Sequence, residues 1–205
     1  MSAGARLVLL RHGRTAWNAS GRIQGQLDVG LDDVGVAQAA RTAPVVAALA
    51  PVVLHCSDLR RTRMTVEPLA AATGLPVTYD ERLRELTFGA YEGLERSDLA
   101  DRDPASYAAL RRGDYERVRH AEPTDEVTAR MLAVLTALLG GLGDDQTAVA
   151  VSHGAAIRIA VGALLGWPEG VFRTLGGLDN CGWVELRRHP ETGVLRLEAY
   201  NRTAS

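Results

Sequence analysis

The sequence predicts an α/β layered domain, and three observations carry that expectation. Short apolar runs of strand length alternate with longer segments of helical period. Three of those runs end alike, in a polar set followed at once by a turn or a helix. The chain has 205 residues, 46% hydrophobic and 23% charged, which suffices for one well-filled core and is too short for two ordinary domains of separate function. A single domain over residues 1–205 is therefore expected.

In chain order, a first strand is expected over residues 6–10, where four apolar residues follow Arg6. A helix over 33–49 and a strand over 52–56 come next. A helix over 58–73 is stopped by Gly74, and a weaker strand is read at 76–79. Residues 88–122 are more charged and less periodic, so they read as a helical excursion from the sheet that could act as a lid. A helix over 124–142 is closed near Gly140-Gly141, followed by a strand at 147–151, a helix at 155–165, and weaker strands at 183–186 and 194–199. The runs at 6–10, 52–56 and 147–151 are expected to be buried on both faces. There are no repeats and no low-complexity linker.

Composition removes several classes of function. The formal net charge of −2 offers no basic field to draw the chain onto nucleic acid or an acidic membrane, so any anion site must be local. No apolar stretch approaches a membrane span, and the start lacks a basic segment followed by a long apolar core. A cytoplasmic protein is expected, and the glycosylation patterns at Asn18 and Asn201 then carry no meaning. Cys56 and Cys181 read as buried free thiols. All 23 positive side chains are arginine, which excludes both Schiff-base lysines and the lysine of a P-loop.

The three polar sets are Arg11-His12-Gly13, Ser57-Asp58-Leu59-Arg60-Arg61 and Ser152-His153-Gly154. In open α/β sheets ligands bind beyond the carboxyl ends of strands, where helix N-termini also favour anions. If the three strands are neighbours, two imidazoles and at least two guanidiniums converge on one pocket. Such a pocket suits a phosphate dianion: arginine offers planar paired donors, and a neutral imidazole is an acceptor or a nucleophile. Phosphoryl transfer needs mainly positioning and charge stabilisation, so a cage of cations can do much of what magnesium does elsewhere. Taken singly, either histidine reads more simply as a core or loop residue; the shared His-Gly context after a buried strand favours a paired role. Which of Arg60, Arg61 and Arg63 turns inward is open from spacing alone.

The run Leu10-Arg11-His12-Gly13-Arg14-Thr15-Ala16-Trp17-Asn18 resembles the signature of the histidine phosphatase superfamily, which includes the cofactor-dependent phosphoglycerate mutases. The resemblance continues through residues 21–25, Ser57 to Thr62, Leu83-Arg84-Glu85, Phe88-Gly89, Glu92-Gly93 and Val151 to Gly154, and so covers essentially the whole chain. It implies a three-layer α/β/α sandwich with a mostly parallel central sheet, of the phosphoglycerate mutase-like kind. It also implies that His12 becomes phosphohistidine while Arg11, Arg61 and His153 hold the phosphoryl oxygens. Glu85 matches the acid that protonates the leaving oxygen and then activates water. Asn18 and Gln24 match positions lining the pocket; Gly154 and Arg14 are counted with them as substrate-binding, Arg14 standing where Glu or Gln is usual. No cofactor and no metal are implied. The expected partner is a small-molecule phosphate ester, with no nucleic acid and no membrane, and the chain is compatible with a homodimer.

Departures from the family pattern bear on substrate. Gly30 replaces a frequent proline, and His120-Ala121-Glu122-Pro123 stands where Gly-Gly-Glu-Ser is common, seven residues before the matching Arg130. The basic residues Arg111, Arg112, Arg117, Arg119 and His120 could receive a second anionic group, although a solvated helix or loop face is the simpler reading and is preferred. Segments 175–183 and 200–201 resemble small actinobacterial members of the family. A mutase is the alternative within the enzyme class, disfavoured because mutases resemble longer chains with an insertion. A non-catalytic phospho-ligand binding protein is the alternative outside it, disfavoured because His12 and Glu85 are both present. The five histidines lack metal-site spacing.

Overall fold

The computed structural model describes residues 4–204. Its centre is β1 (Arg6–Arg11), whose run of Leu and Val is buried on both faces. The strand pairs in parallel with β4 (Thr147–Ser152) on one side and antiparallel with β5 (Trp183–Arg188) on the other. With β2 (Pro51–Cys56), β3 (Val77–Tyr79) and β6 (Leu195–Arg202), the sheet runs in the order β3-β2-β4-β1-β5-β6. Strands β1 to β4 are parallel, and β5 and β6 complete the sheet as an antiparallel pair of strands.

Alternate residues of the central strands serve opposite layers. Val8, Leu10, Val149 and Val151 face α2 (Asp33–Ala47) and α3 (Arg60–Thr73), through Ala43, Val46, Val66 and Leu69. Leu7, Leu9, Ala148 and Ala150 face the other layer, built from α6 (Thr124–Gly141) and α7 (Gly154–Leu164). Each fully buried leucine contributes about 1.5–3 kcal/mol relative to exposure, so the sheet is anchored from both sides. The three-layer sandwich with a mostly parallel sheet is thus the observed architecture.

Local chemistry explains the element ends. Asp32 caps α2 by accepting the Gly35 N–H at 2.8 Å. In the excursion, α4 (Arg96–Arg102) is followed by α5 (Pro104–Arg112), where Asp103 caps, Pro104 opens the first turn and Gly113 closes it at φ 69°. The short α1 (Ala16–Ser20) is fixed by a capping box between Thr15 and Asn18.

One expectation fails at β2. Val52 is 46% exposed, and Val53 and His55 are only half-buried. For Val52 and Val53 the reason is the shortness of β3, which pairs only with Leu54 to Cys56 and leaves the first half of β2 without a strand on that side, whereas His55, although paired, lines a surface cavity with Arg82 and Val134. Helix α3 also starts two residues later than expected, because Asp58 is held by Arg84 in the turn that precedes it. No helix among the described residues is long and apolar enough to cross a membrane.

Candidate active site

The register between β1 and β4 puts Arg11 opposite Ser152, so His12 and His153 leave the sheet side by side. The His12 N–H donates to the Ser152 carbonyl at 3.1 Å, and the two imidazole centroids are 5.2 Å apart. The end of β2 lies beyond β4, and Arg61 follows in the first turn of α3 with 1% of its surface exposed. Three strand ends therefore converge, and of the three candidate arginines only Arg61 turns inward. Arg60 is exposed, while Arg63 donates to the Asp58 carbonyl and lies over the Tyr79 ring.

Hydrogen bonds fix the tautomers of both histidines. His12 Nδ1 lies 2.7 Å from the Gly13 carbonyl, which can only accept, so Nδ1 carries the proton and Nε2 keeps its lone pair. His153 Nδ1 accepts from Arg61 Nε at 3.2 Å, so its proton is on Nε2, which donates to Ser57 Oγ at 2.9 Å. Burial, and then the Arg61 and Arg11 charges, hold His12 well below the usual imidazole range. The same desolvation, followed by Arg61, lowers His153. Near neutral pH both rings are neutral, as a nucleophile must be.

Arg61 also donates to the carbonyls of Leu27 at 2.8 Å and Gly25 at 2.7 Å, which leaves two of its five N–H donors for a ligand. Its burial lowers its pKa to about 10, opposed chiefly by Glu85, so it remains cationic at physiological pH. Arg11 donates to the Leu178 carbonyl, and its buried Nε has no partner among the described residues. A Cβ on Gly154 would come within 3.3 Å of that Nε, so glycine there lets Arg11 lie against the start of α7. Glu85 caps the same helix end: its carboxylate accepts from Ala155 N at 3.1 Å, Ala156 N at 2.8 Å and Leu86 N at 3.1 Å.

A cavity of about 380 Å³ opens over these groups, and Arg11, His12, Asn18, Gln24, Arg61, Glu85 and Gly154 line it. The Asn18 and Gln24 carbonyl oxygens are committed to Thr15, among other donors, leaving their amide nitrogens available to an anion. His153 stands behind this wall, against His12 and Arg61. Arg14 is a correction: it does not line the cavity but pairs with Asp32 at 2.8 Å. The same Asp32 carboxylate caps α2, so the Arg14 side chain lies along the start of that helix. Of the basic residues in the excursion, Arg111 reaches the cavity, whereas Arg117 pairs with Asp114, Arg119 pairs with Asp103, and His120 packs edge-on against Tyr91.

Several wall residues were not singled out from the sequence: Arg22, Arg96, Tyr115, Arg158 and Leu178. Arg158 had a legible signal, since it follows Gly154 by four residues on one helix face. Arg22 stands two residues before Gln24 in the same motif, whereas Arg96 and Tyr115 are placed by packing alone. Residues of the excursion form part of the cavity wall and are tied to the late part of the chain. Asp114 pairs with Arg173 at 2.6 Å, and the Tyr115 ring stacks on Phe172.

A family model for the histidine phosphatase superfamily (branch 1) matches residues 7–201. The chain is 37% identical over 190 residues to a glucosyl-3-phosphoglycerate phosphatase of Mycolicibacterium vanbaalenii, covering 90% of this chain and 84% of the relative. It is 38% identical over 176 residues to a probable phosphoglycerate mutase, GpmB, of Erwinia tasmaniensis, covering 85% and 81%. A mycobacterial glucosyl-3-phosphoglycerate phosphatase solved with VO3 superposes with a TM-score of 0.90 at 34% identity, over 97% of this chain and 99% of that one.

Proposed function

Since the chain belongs to the histidine phosphatase superfamily, we propose that it hydrolyses small phosphate monoesters through a phosphohistidine on His12. The observation that carries this reading is the His12 tautomer: Nδ1–H is tied to Gly13, and the Nε2 lone pair belongs to a ring on the wall of a cavity ringed by guanidiniums. In the first step Nε2 attacks phosphorus, the P–O ester bond breaks, and Glu85 gives a proton to the departing oxygen. In the second, Glu85 takes a proton from water as that water attacks phosphohistidine, and the N–P bond breaks to release phosphate. Arg11, Arg61, Asn18 and Gln24 hold the equatorial oxygens through donors that the protein leaves free, and His153 orients Arg61.

The charge on phosphate is met by arginine, which supports a reaction that needs no metal. Two buried free thiols suit a reducing compartment and hence the cytoplasm. Beyond the cage, Arg96 and Arg111 stand exposed at the cavity wall, and Phe88 and Tyr115 provide aromatic surface. Together with the relatives' substrate, these support a phosphorylated hydroxy acid carrying a sugar, such as glucosyl-3-phosphoglycerate.

The test is steady-state phosphate release in excess EDTA from an aryl phosphate, 2- and 3-phosphoglycerate and glucosyl-3-phosphoglycerate, with wild type and His12→Ala. Release that vanishes in His12→Ala is expected. The likeness to GpmB stands behind a second, less supported reading, a mutase, and interconversion of the two phosphoglycerates without net release would establish it.

A further inference from the structure

Arg130 extends from α6 to the backbone that carries Glu85. Its Nη1 donates to the carbonyls of Arg82 at 2.8 Å and Arg84 at 2.6 Å. Its Nε and Nη2 grip Glu122 at 2.7 and 3.0 Å. Glu122 accepts the Thr87 N–H at 3.2 Å, and its own N–H donates to the Thr87 carbonyl at 2.9 Å. Residues 82–87 are thereby held at both ends, with Glu85 between the two attachments. The side chains of the pair are only 17% and 11% exposed, so water and salt compete weakly for them.

On its other side the Glu85 carboxylate is held by the first N–H groups of α7. One helix thus fixes the backbone of Glu85 and another its charged end. Neither Arg130 nor Glu122 lines the cavity. We propose that Arg130 and Glu122 are a positioning pair that sets the reach of Glu85 to the leaving oxygen. The proposal rests on the acid role of Glu85 given above. Proton transfer depends steeply on distance and angle, so a shift of a fraction of an ångström in this segment falls on the step that needs the proton. Arginine suits this place because one rigid fork of donors meets four acceptors, two backbone carbonyls and both oxygens of a carboxylate.

The experiment compares kcat/KM for 3-phosphoglycerate, whose alkoxide must be protonated as it leaves, with kcat/KM for p-nitrophenyl phosphate, whose leaving group needs little help. It is run on wild type, Arg130→Lys, Glu122→Gln and Glu85→Gln. Glu122→Gln keeps the size and backbone contacts of the side chain, and serves if Arg130→Lys does not fold. We expect both clamp variants to lose tenfold or more on 3-phosphoglycerate and less than threefold on p-nitrophenyl phosphate, the pattern of Glu85→Gln in weaker form. Equal losses on both substrates, as a purely structural pair would give, or no loss on either, overturn the proposal. If Glu85→Gln itself shows no such difference, the acid role is wrong and this inference falls with it; if Glu85→Gln shows it and the clamp variants do not, only the clamp is wrong.

Discussion

Two neutral imidazoles buried beside two guanidiniums make stability depend on pH in a window where few other groups titrate. His12 and His153 both have folded pKa values depressed by burial first and by Arg61 next, whereas each takes up a proton near pH 6.5 once the chain unfolds. Below that pH the unfolded state binds more protons than the folded one, so stability is complete above about pH 6.5 and is lost as pH falls. From pH 7 to pH 5.5 each ring accounts for at most about 1.3 kcal/mol and the pair for at most about 2.5 kcal/mol, a large part of a total of roughly 5–15 kcal/mol. For a domain of this length the thermal midpoint should fall, by at most about 5–10 °C. Asp58, Asp80 and Asp103 have lowered pKa values and act only below this window. His55 is also lowered, but it is half-exposed and adds only a fraction of such a step. The assay is urea unfolding at pH 7, 6.5, 6 and 5.5 in buffers without phosphate or sulfate, since an anion in the cage would offset the arginines. The His12→Gln, His153→Gln double variant should flatten the dependence. A midpoint that holds steady or rises on acidification, or an unchanged slope in the double variant, would refute the reasoning.

Other residues give sharper local expectations. Arg14→Ala should leave kcat/KM within twofold of wild type and stability within about 1 kcal/mol, because it loses only a half-exposed pair with Asp32. Steady-state rates and a melt decide this. Gly25→Ala should cost at least about 1–2 kcal/mol and lower kcat/KM. Its φ is +50°, a Cβ would lie 2.0 Å from Glu92 Oε1, and its carbonyl accepts from Arg61. Chemical denaturation and kinetics on an aryl phosphate check both effects. Leu9→Ala removes a fully buried side chain from the centre of the sheet and should destabilise by about 2–5 kcal/mol with no change in KM.

The residues that do the chemistry were legible because their signal is local. A run of buried strand followed by His-Gly marks the point where a chain leaves a sheet, and that pattern occurs at both His12 and His153. The pairing of β1 with β4, which makes the two neighbours, was only a condition in the sequence and is a fact of the register. What stayed hidden depends on partners distant along the chain. Arg14 was counted with the substrate-binding residues because nothing local shows its pairing with Asp32, and Glu122, in a segment that departs from the family pattern, serves Arg130 rather than the cavity. The half-exposed start of β2 was missed for a similar reason, since the length of β3 cannot be read from β2.

The spacing of the two histidines has a consequence for how such a protein can change. Neighbouring strands lie about 4.8 Å apart, and the imidazoles, leaving adjacent strands at the same level, keep nearly that separation. The placement of the nucleophile beside the ring that orients Arg61 is therefore inherited from the periodicity of the sheet, and no loop has to learn it. The segment that shapes the outer part of the cavity, residues 96–118, hangs from the rim without setting that distance. Substrate preference and reactivity are thus written in separable parts of the chain, and transplanting the first between relatives should leave the second intact.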